Sequence, residues 1–328
     1  DLESPVPTSI DALDLTPLSS LEALKEIGIV NMTMSAENLQ IIADLPALEK
    51  LAISHCDLSG ISQLSGATRL TYLDLSYNTI GNLSALEGMT QLTILNLKHN
   101  AISDLSVIGK LTKLEVLDLS FNSITDTAPL ASCTALASLK LANNAITQLN
   151  GIDALTSLIE LSVAFNKLTD VQILEHCTEM IELDLSNNEL EDISAVSAMT
   201  KLQSLNFSYN QVKNLPEFKE NCPLVAIKGS QNQLSSLKEL SGLKDLNYVI
   251  MDFNKNLSSV KALASCYARL TGWVLAEQDG WVQLQIGSAE QGMTGWFRAE
   301  DMAFDAEVNE VRCSFPAYDN EPWWEMED

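Results

Sequence analysis

The feature that most constrains this 328-residue chain is a period of 22 residues. Asparagine recurs at 78, 100, 122, 144, 166, 188, 210, 232 and 254 without one insertion, and Cys56 stands one period earlier in the same column. Ahead of each Asn, apolar residues fall at fixed places: Leu70, Leu73 and Leu75 before Asn78 and Ile80, then Leu92, Leu95 and Leu97 before Asn100 and Ile102. We number each unit from its first leucine, so that Asn is position 9. A unit this short cannot bury an apolar face alone. Leucines at positions 1, 4 and 6 therefore point inward and are closed off only when neighbouring units stack. The Asn at position 9 sits where the strand turns away, and its amide is suited to satisfy backbone groups that the bend leaves unpaired.

Ten such units account for residues 48–267. A degenerate unit precedes them, with Leu24, Ile27, Ile29 and Met32 offset by 24 residues. Residues 1–47 lack the Asn column but keep apolar spacing at Leu13, Leu15, Leu18 and Leu21, as an N-terminal cap to an exposed stack requires. Within that cap "SAENLQIIADL" (Ser35–Leu45) predicts a helix with Ser35 as its N-cap.

The pattern LxxLxLxxNxL resembles the leucine-rich-repeat family, which implies an α/β solenoid: a curved parallel sheet on the concave face and short helical or extended segments on the convex one. Unit tails such as "AISDLSVIGKLTKL" (Ala101–Leu114) are most similar to the internalin type found on bacterial surfaces, although intracellular regulatory proteins share the same period.

Charge narrows the partners. Against 19 Lys and Arg stand 44 Asp and Glu, a net charge of −25 that repels nucleic acid and anionic lipid. No run of apolar residues is long enough to cross a bilayer. The start at Asp1 without Met suggests an export signal already removed. Six cysteines (56, 133, 177, 222, 266 and 313) include no CxxC pair, and the last four of the repeat region follow a step of about 44 residues. Two strand spacings of about 4.8 Å put such sites roughly 10 Å apart, beyond disulfide reach, so they read as buried thiols of the convex side. His55 and His99 are too far apart by the same argument to share a zinc ion, and His176 has no evident partners, so neither a metal nor a cofactor is expected.

Side chains alternate along a strand, so positions 3, 5 and 7 are expected to project from the concave sheet. The candidate partner-binding residues are Tyr72, Asp74, Ile94, Asn96, Lys98, Val116, Asp118, Glu160, Glu182, Asp184, Asn206 and Tyr248. Tyr72, Ile94 and Val116 lie in consecutive units and form one apolar row of the kind that marks a contact surface. Position 7 is nearly all Ser or Ala, small residues that let a curved sheet close. Position 8 reads His55, Tyr77, His99, Phe121, Asn143, Phe165, Asn187, Tyr209, Gln231, Phe253, an alternation with a superperiod of 44, and its aromatics are expected to pack in the core or along the sheet edge.

After Ala268 the repeat fails. All five tryptophans (273, 281, 296, 323 and 324) fall in 268–328, in short alternating segments that predict a small antiparallel sheet or barrel. "DGWVQLQIG…TGWFRAEDMAF" (Asp279–Phe304) is similar to bacterial SH3-like modules, followed by an acidic aromatic tail ending "EPWWEMED". From Arg269 onward 3 basic and 13 acidic residues give net −10, which disfavours attachment to an acidic wall polymer.

These readings lead to a non-enzymatic binding protein of the bacterial surface or exterior that grips a protein, or else a glycan or cell-wall polymer, on its concave face. The alternative is an intracellular regulatory or scaffold subunit of the same architecture. Catalysis is not expected: the chain has no Gly-rich phosphate loop, no GxSxG and no HExxH, and paired carboxylates such as Asp74 with Asp118 arise in any periodic array.

Overall fold

A computed structural model describes residues 14–219, 221–258 and 262, and the backbone of three strands between 272 and 298. Eleven strands form one parallel sheet in chain order: β1 (Glu26–Val30), β2 (Lys50–Ser54), β3 (Tyr72–Asp74), β4 (Ile94–Asn96), β5 (Val116–Asp118), β6 (Ser138–Lys140), β7 (Glu160–Ser162), β8 (Glu182–Asp184), β9 (Ser204–Asn206), β10 (Ala226–Lys228) and β11 (Tyr248–Ile250). Pairing is in register at 22 residues throughout, as Tyr72↔Ile94↔Val116, except that β1 pairs β2 at the offset of 24 expected for the degenerate unit. Helix α1 (Ala36–Ala43) lies where the cap predicted it, and the Ser35 side chain accepts from the Asn38 N–H.

The apolar core is one continuous column between the sheet and the convex side. Leu73, Leu95, Leu117 and Leu139 at position 4 are fully buried, as are Leu75, Leu97, Leu119 and Leu141 at position 6. The convex segments of most units are single 3-10 turns such as Ser62–Gly66, Ala128–Ser132 and Gln172–His176. Several are entered through an Asx turn: Asp104, Asp126, Asp170 and Asp192 each accept the N–H two residues on. Where a unit departs from pattern, its neighbours compensate. Position 6 is Gly229 because Phe207 fills that space; a Cβ on Gly229 would sit 2.3 Å from the Phe207 ring. Thr127 is wholly buried, and its hydroxyl donates to the Asn150 carbonyl at 2.9 Å.

The asparagines bind unit to unit. In Asn166 the amide nitrogen donates to Val163 and Ala164 of its own strand end and to Leu141 of the unit before, while the amide oxygen accepts the Ile146 N–H of that earlier unit. The same four bonds recur at Asn100, Asn122, Asn144, Asn188, Asn210, Asn232 and Asn254. Asn78 makes a fifth, accepting from both Cys56 and Leu58. Cys56, at the head of the column, offers only a thiol to the Ser54 and Ile29 carbonyls.

Strands β12 (Gly272–Gln278), β13 (Trp281–Ile286) and β14 (Met293–Arg298) form a separate antiparallel meander. That agrees with the alternating segments seen in sequence. Closure into an SH3-like barrel and the acidic tail lie outside the described residues, as do Cys266 and Cys313.

The thiols of Cys56, Cys133, Cys177 and Cys222 are buried and unpaired. Burial pushes Cys133 and Cys177 up to about 11 from the ordinary 9.0, with the Asp153 charge adding at Cys177. A thiol with a raised folded value is neutral in both states below pH 9 and ionises first in the unfolded chain. Its stabilising contribution is therefore intact below pH 9 and lost as the pH rises through the window to about 11. We expect the four thiols to resist a thiol reagent at pH 8 until the chain unfolds, and the thermal midpoint to fall between pH 9 and 11. Asn166→Ala removes four hydrogen bonds and strands the Ile146 N–H, and is expected to lower the unfolding free energy by about 3 kcal/mol in a denaturant titration.

Candidate binding surface on the concave sheet

The side chains along the open side of the sheet fall into columns, and the fold constrains them unequally. At position 3, Tyr72, Ile94 and Val116 are cross-strand neighbours in register. Ile94 and Val116 are 36% and 37% exposed, Tyr72 is half-buried, and nothing in the ladder requires their apolar character. Burial, with Asp74 and Glu26 nearby, raises the Tyr72 phenol above its ordinary value. The column continues through Glu160, Glu182 and Tyr248, all half-buried. Glu160 is held by Lys140 at 3.2 Å and by the Ser138 hydroxyl at 2.6 Å. Lys228 stands over the Tyr248 ring at 5.5 Å.

Position 5 serves the fold first. Beyond it the backbone bonds between units continue from positions 6 and 8, as Leu75 to Asn96 and Tyr77 to Lys98, and the position 7 N–H is taken up by the side chain two residues back. Asp74 accepts from Ser76 at 2.8 Å, Asn96 from Lys98 at 3.1 Å, Asp118 from Ser120 at 2.8 Å, Asp184 from Ser186 at 2.9 Å, and Asn206 from Ser208 at 3.1 Å. Asn96 also donates to Asp74 across the strands at 3.1 Å. These five candidate residues thus sit on the concave face with one oxygen already committed to their own backbone.

The expectation that position 7 projects outward needs correction. Ser76, Ser120, Ala164, Ser186, Ser208 and Ser230 are buried. The chain turns inward there, because the next residue takes a left-handed backbone and carries the strand around to the Asn. Lys98 is an exception: half-buried, it lays its ammonium 5.8 Å from the Tyr77 ring and 5.4 Å from Phe121.

Position 8 corrects a second expectation. Every member from His55 to Phe253 has φ between 52° and 57°, a conformation costing an L-residue roughly 1–2 kcal/mol. The aromatics are not core residues. Tyr77 is 38% exposed, Phe165 54%, Tyr209 55% and Phe253 65%. At the N-terminal end the rings do pack along the edge: His55, Tyr77, His99 and Phe121 stack with centroids 4.2, 4.4 and 3.9 Å apart. The alternation was visible in the sequence. Its exposure was not, because period alone does not tell which way the residue before the Asn faces.

Residues 46–102 match the family model described as leucine rich repeat, and residues 90–132, 112–154 and 156–198 match that described as leucine rich repeats in two copies. No curated protein matches. Among solved structures, an internalin, InlF, from Listeria monocytogenes strain 4b F2365 is similar at 24% identity and a TM-score of 0.57, over 75% of this chain and 85% of that one. Internalin C2 from the same strain is similar at 26% identity and a TM-score of 0.52, over 66% and 84%. TLR13 in its complex with ssRNA13 is similar at 21% identity and a TM-score of 0.64, over 78% of this chain and 41% of that one.

Asp184 yields a test of the position 5 column. Burial raises its carboxyl above the ordinary 3.8, against hydrogen bonds from Ser186 and Asn206 and the Lys228 charge, which lower it. A raised carboxyl is one whose charged form the fold disfavours, so its effect on stability is most favourable below pH 3.8 and is lost as the pH rises through its titration. Asn fills the same position at Asn96 and Asn206, so Asp184→Asn retains the Ser186 bond. The variant is expected to unfold at a higher temperature than the parent at pH 7, with the difference vanishing on acidification below about 4.

Proposed function

The units stacked in this chain are leucine-rich repeats, and from that premise we propose a non-enzymatic protein-binding molecule, secreted or attached to a bacterial surface, whose concave sheet grips a protein partner. The observation that carries the reading is the exposed apolar row of Ile94 and Val116, continued by Tyr72, in an exact 22-residue register that no internal contact calls for. Proteins of this family generally bind other proteins, and the sheet offers a broad wall on which a macromolecule can seat many contacts. The likeness to the Listeria internalins supports a place outside the cell.

Charge favours a protein over a nucleic acid. Although TLR13 carries RNA on the same kind of fold, a chain at net −25 with Asp74, Asp118, Glu160, Glu182 and Asp184 on its sheet repels a phosphate backbone. Unpaired buried thiols favour a second reading, an intracellular scaffold, since such cysteines persist most readily where disulfides do not form. Fractionating the native organism and probing for the chain separates the two.

The test of the binding face is the pair Ile94→Glu with Val116→Lys, opposite charges set side by side in a column that already tolerates Glu160 and Glu182. Capture of a partner from host or bacterial surface extracts should fall at least about tenfold, with the unfolding midpoint within about 2 °C of the parent. Undiminished capture removes the concave row from the interface.

A further inference from the structure

The column at position 8 changes character along its length. In its first four members the ring of His99 fills the gap between Tyr77 and Phe121, at 4.4 and 3.9 Å, nearly parallel to both. The Lys98 ammonium lies within 6 Å of the same two rings. Further on, aromatics still recur every second unit as Phe165, Tyr209 and Phe253, but the residues between them are the amides Asn187 and Gln231. No ring fills those gaps, and all three aromatics are more than half exposed.

The turn itself does not explain these rings. Asn tolerates a left-handed backbone better than other L-residues, and Asn143 and Asn187 hold it at φ 54° and 55° in the same column. Phe165, Tyr209 and Phe253 hold it at 52°, 57° and 55° with bulky side chains that gain little burial in return. A strained aromatic left open to solvent, where an amide serves the fold equally well, points to contact with something outside the chain.

The geometry points to two slots, between Phe165 and Tyr209 over Asn187 and between Tyr209 and Phe253 over Gln231, that take the arginine side chains of a basic protein partner. The flanking residues stand two units apart, as do Tyr77 and Phe121, which hold one planar imidazole between them at 4.4 and 3.9 Å. A guanidinium is planar, weakly hydrated and stacks on aromatic faces, whereas an ammonium does so less well. The Asn187 and Gln231 amide oxygens are acceptors in the right column for its N–H groups. Net charge of −25 draws such a partner in. The assignment rests on the protein-binding reading above and names the chemistry of that partner.

The experiment titrates the full chain with a labelled hexa-arginine peptide and with hexa-lysine of equal charge at physiological salt. Arginine should bind about tenfold more tightly than lysine. Phe165→Asn with Tyr209→Asn should bring both peptides to the lysine affinity. Because Asn is native to this column, the unfolding midpoint of that variant should equal or exceed the parent's, which separates loss of the slot from loss of the fold. Equal affinity for the two peptides in the parent, or a preference that survives in the variant, overturns the assignment. So does binding of a soluble chitooligosaccharide that the same variant abolishes, which would give the rings to a glycan. If the arginine preference is absent while Ile94→Glu with Val116→Lys still abolishes capture, the slots fall and the concave-face reading stands.

Discussion

Each asparagine of the ladder closes on two units at once, and the rest of the architecture follows from that. Asn166 donates to the carbonyls of Leu141, Val163 and Ala164, which it shares with Asn144, Asn188 and the Asn143 N–H, and its oxygen takes the Ile146 N–H at the bend. A buried amide with two donors and an accepting oxygen matches this set, and leaving such groups unsatisfied costs about 1–3 kcal/mol each. Leucine burial supplies the larger driving force, but it does not distinguish one register of stacking from another. The amide does, because its bonds reach back 20 and 25 residues and fit only a neighbour offset by one whole unit.

That constraint propagates to the surface. To bring the Asn under the bend, the preceding residue takes a left-handed backbone; to let the bend close, position 7 is small and buried; to satisfy the N–H left behind, position 5 supplies Asp or Asn in many units. Positions 5, 7 and 9 are thereby assigned by the fold. Positions 3 and 8 are not, since one stands outward on a strand and the other needs only a tolerable left-handed residue. Side chains that look unreasonable there, such as exposed Ile94 and Val116 or strained Phe165 and Tyr209, are informative about binding in a way that Asp118 is not.

Much of this was legible in the sequence, and the physical reason is repetition. A period without insertions states the register of every strand, so the parallel order from β1 to β11, the α1 helix behind Ser35 and the buried thiols of Cys133 and Cys177 follow from spacing. Side-chain direction was harder. Strict alternation holds only while the backbone stays extended, and these strands are mostly three residues long. Extrapolating alternation to position 7 put Ser76 and Ser186 on the open face, when the turn had already buried them. The role of Asp74 and Asp184 as acceptors for their own backbone was hidden for a related reason: period reports which column a carboxylate is in, not which of its oxygens is in use. Compensation across columns, as between Phe207 and Gly229, likewise requires knowing that residues 22 apart touch through their side chains.

A stack of this kind also separates stability from recognition more cleanly than a globule does. Each unit touches only the one before and the one after, so a change at position 3 or 8 disturbs at most its two neighbours, while the Asn and Leu columns hold the register on either side. The cross-strand array can therefore carry an apolar row at one end, a mixed acidic and lysine-bearing stretch in the middle around Lys140, Glu160 and Asp184, and open rings toward the other end, without any of the three compromising the core. A partner long enough to run along the sheet meets these zones in sequence. On the proposed reading, the order of zones along the chain describes such a partner, apolar against Ile94 and Val116 and cationic toward Tyr209 and Phe253, in columns that the fold left unassigned.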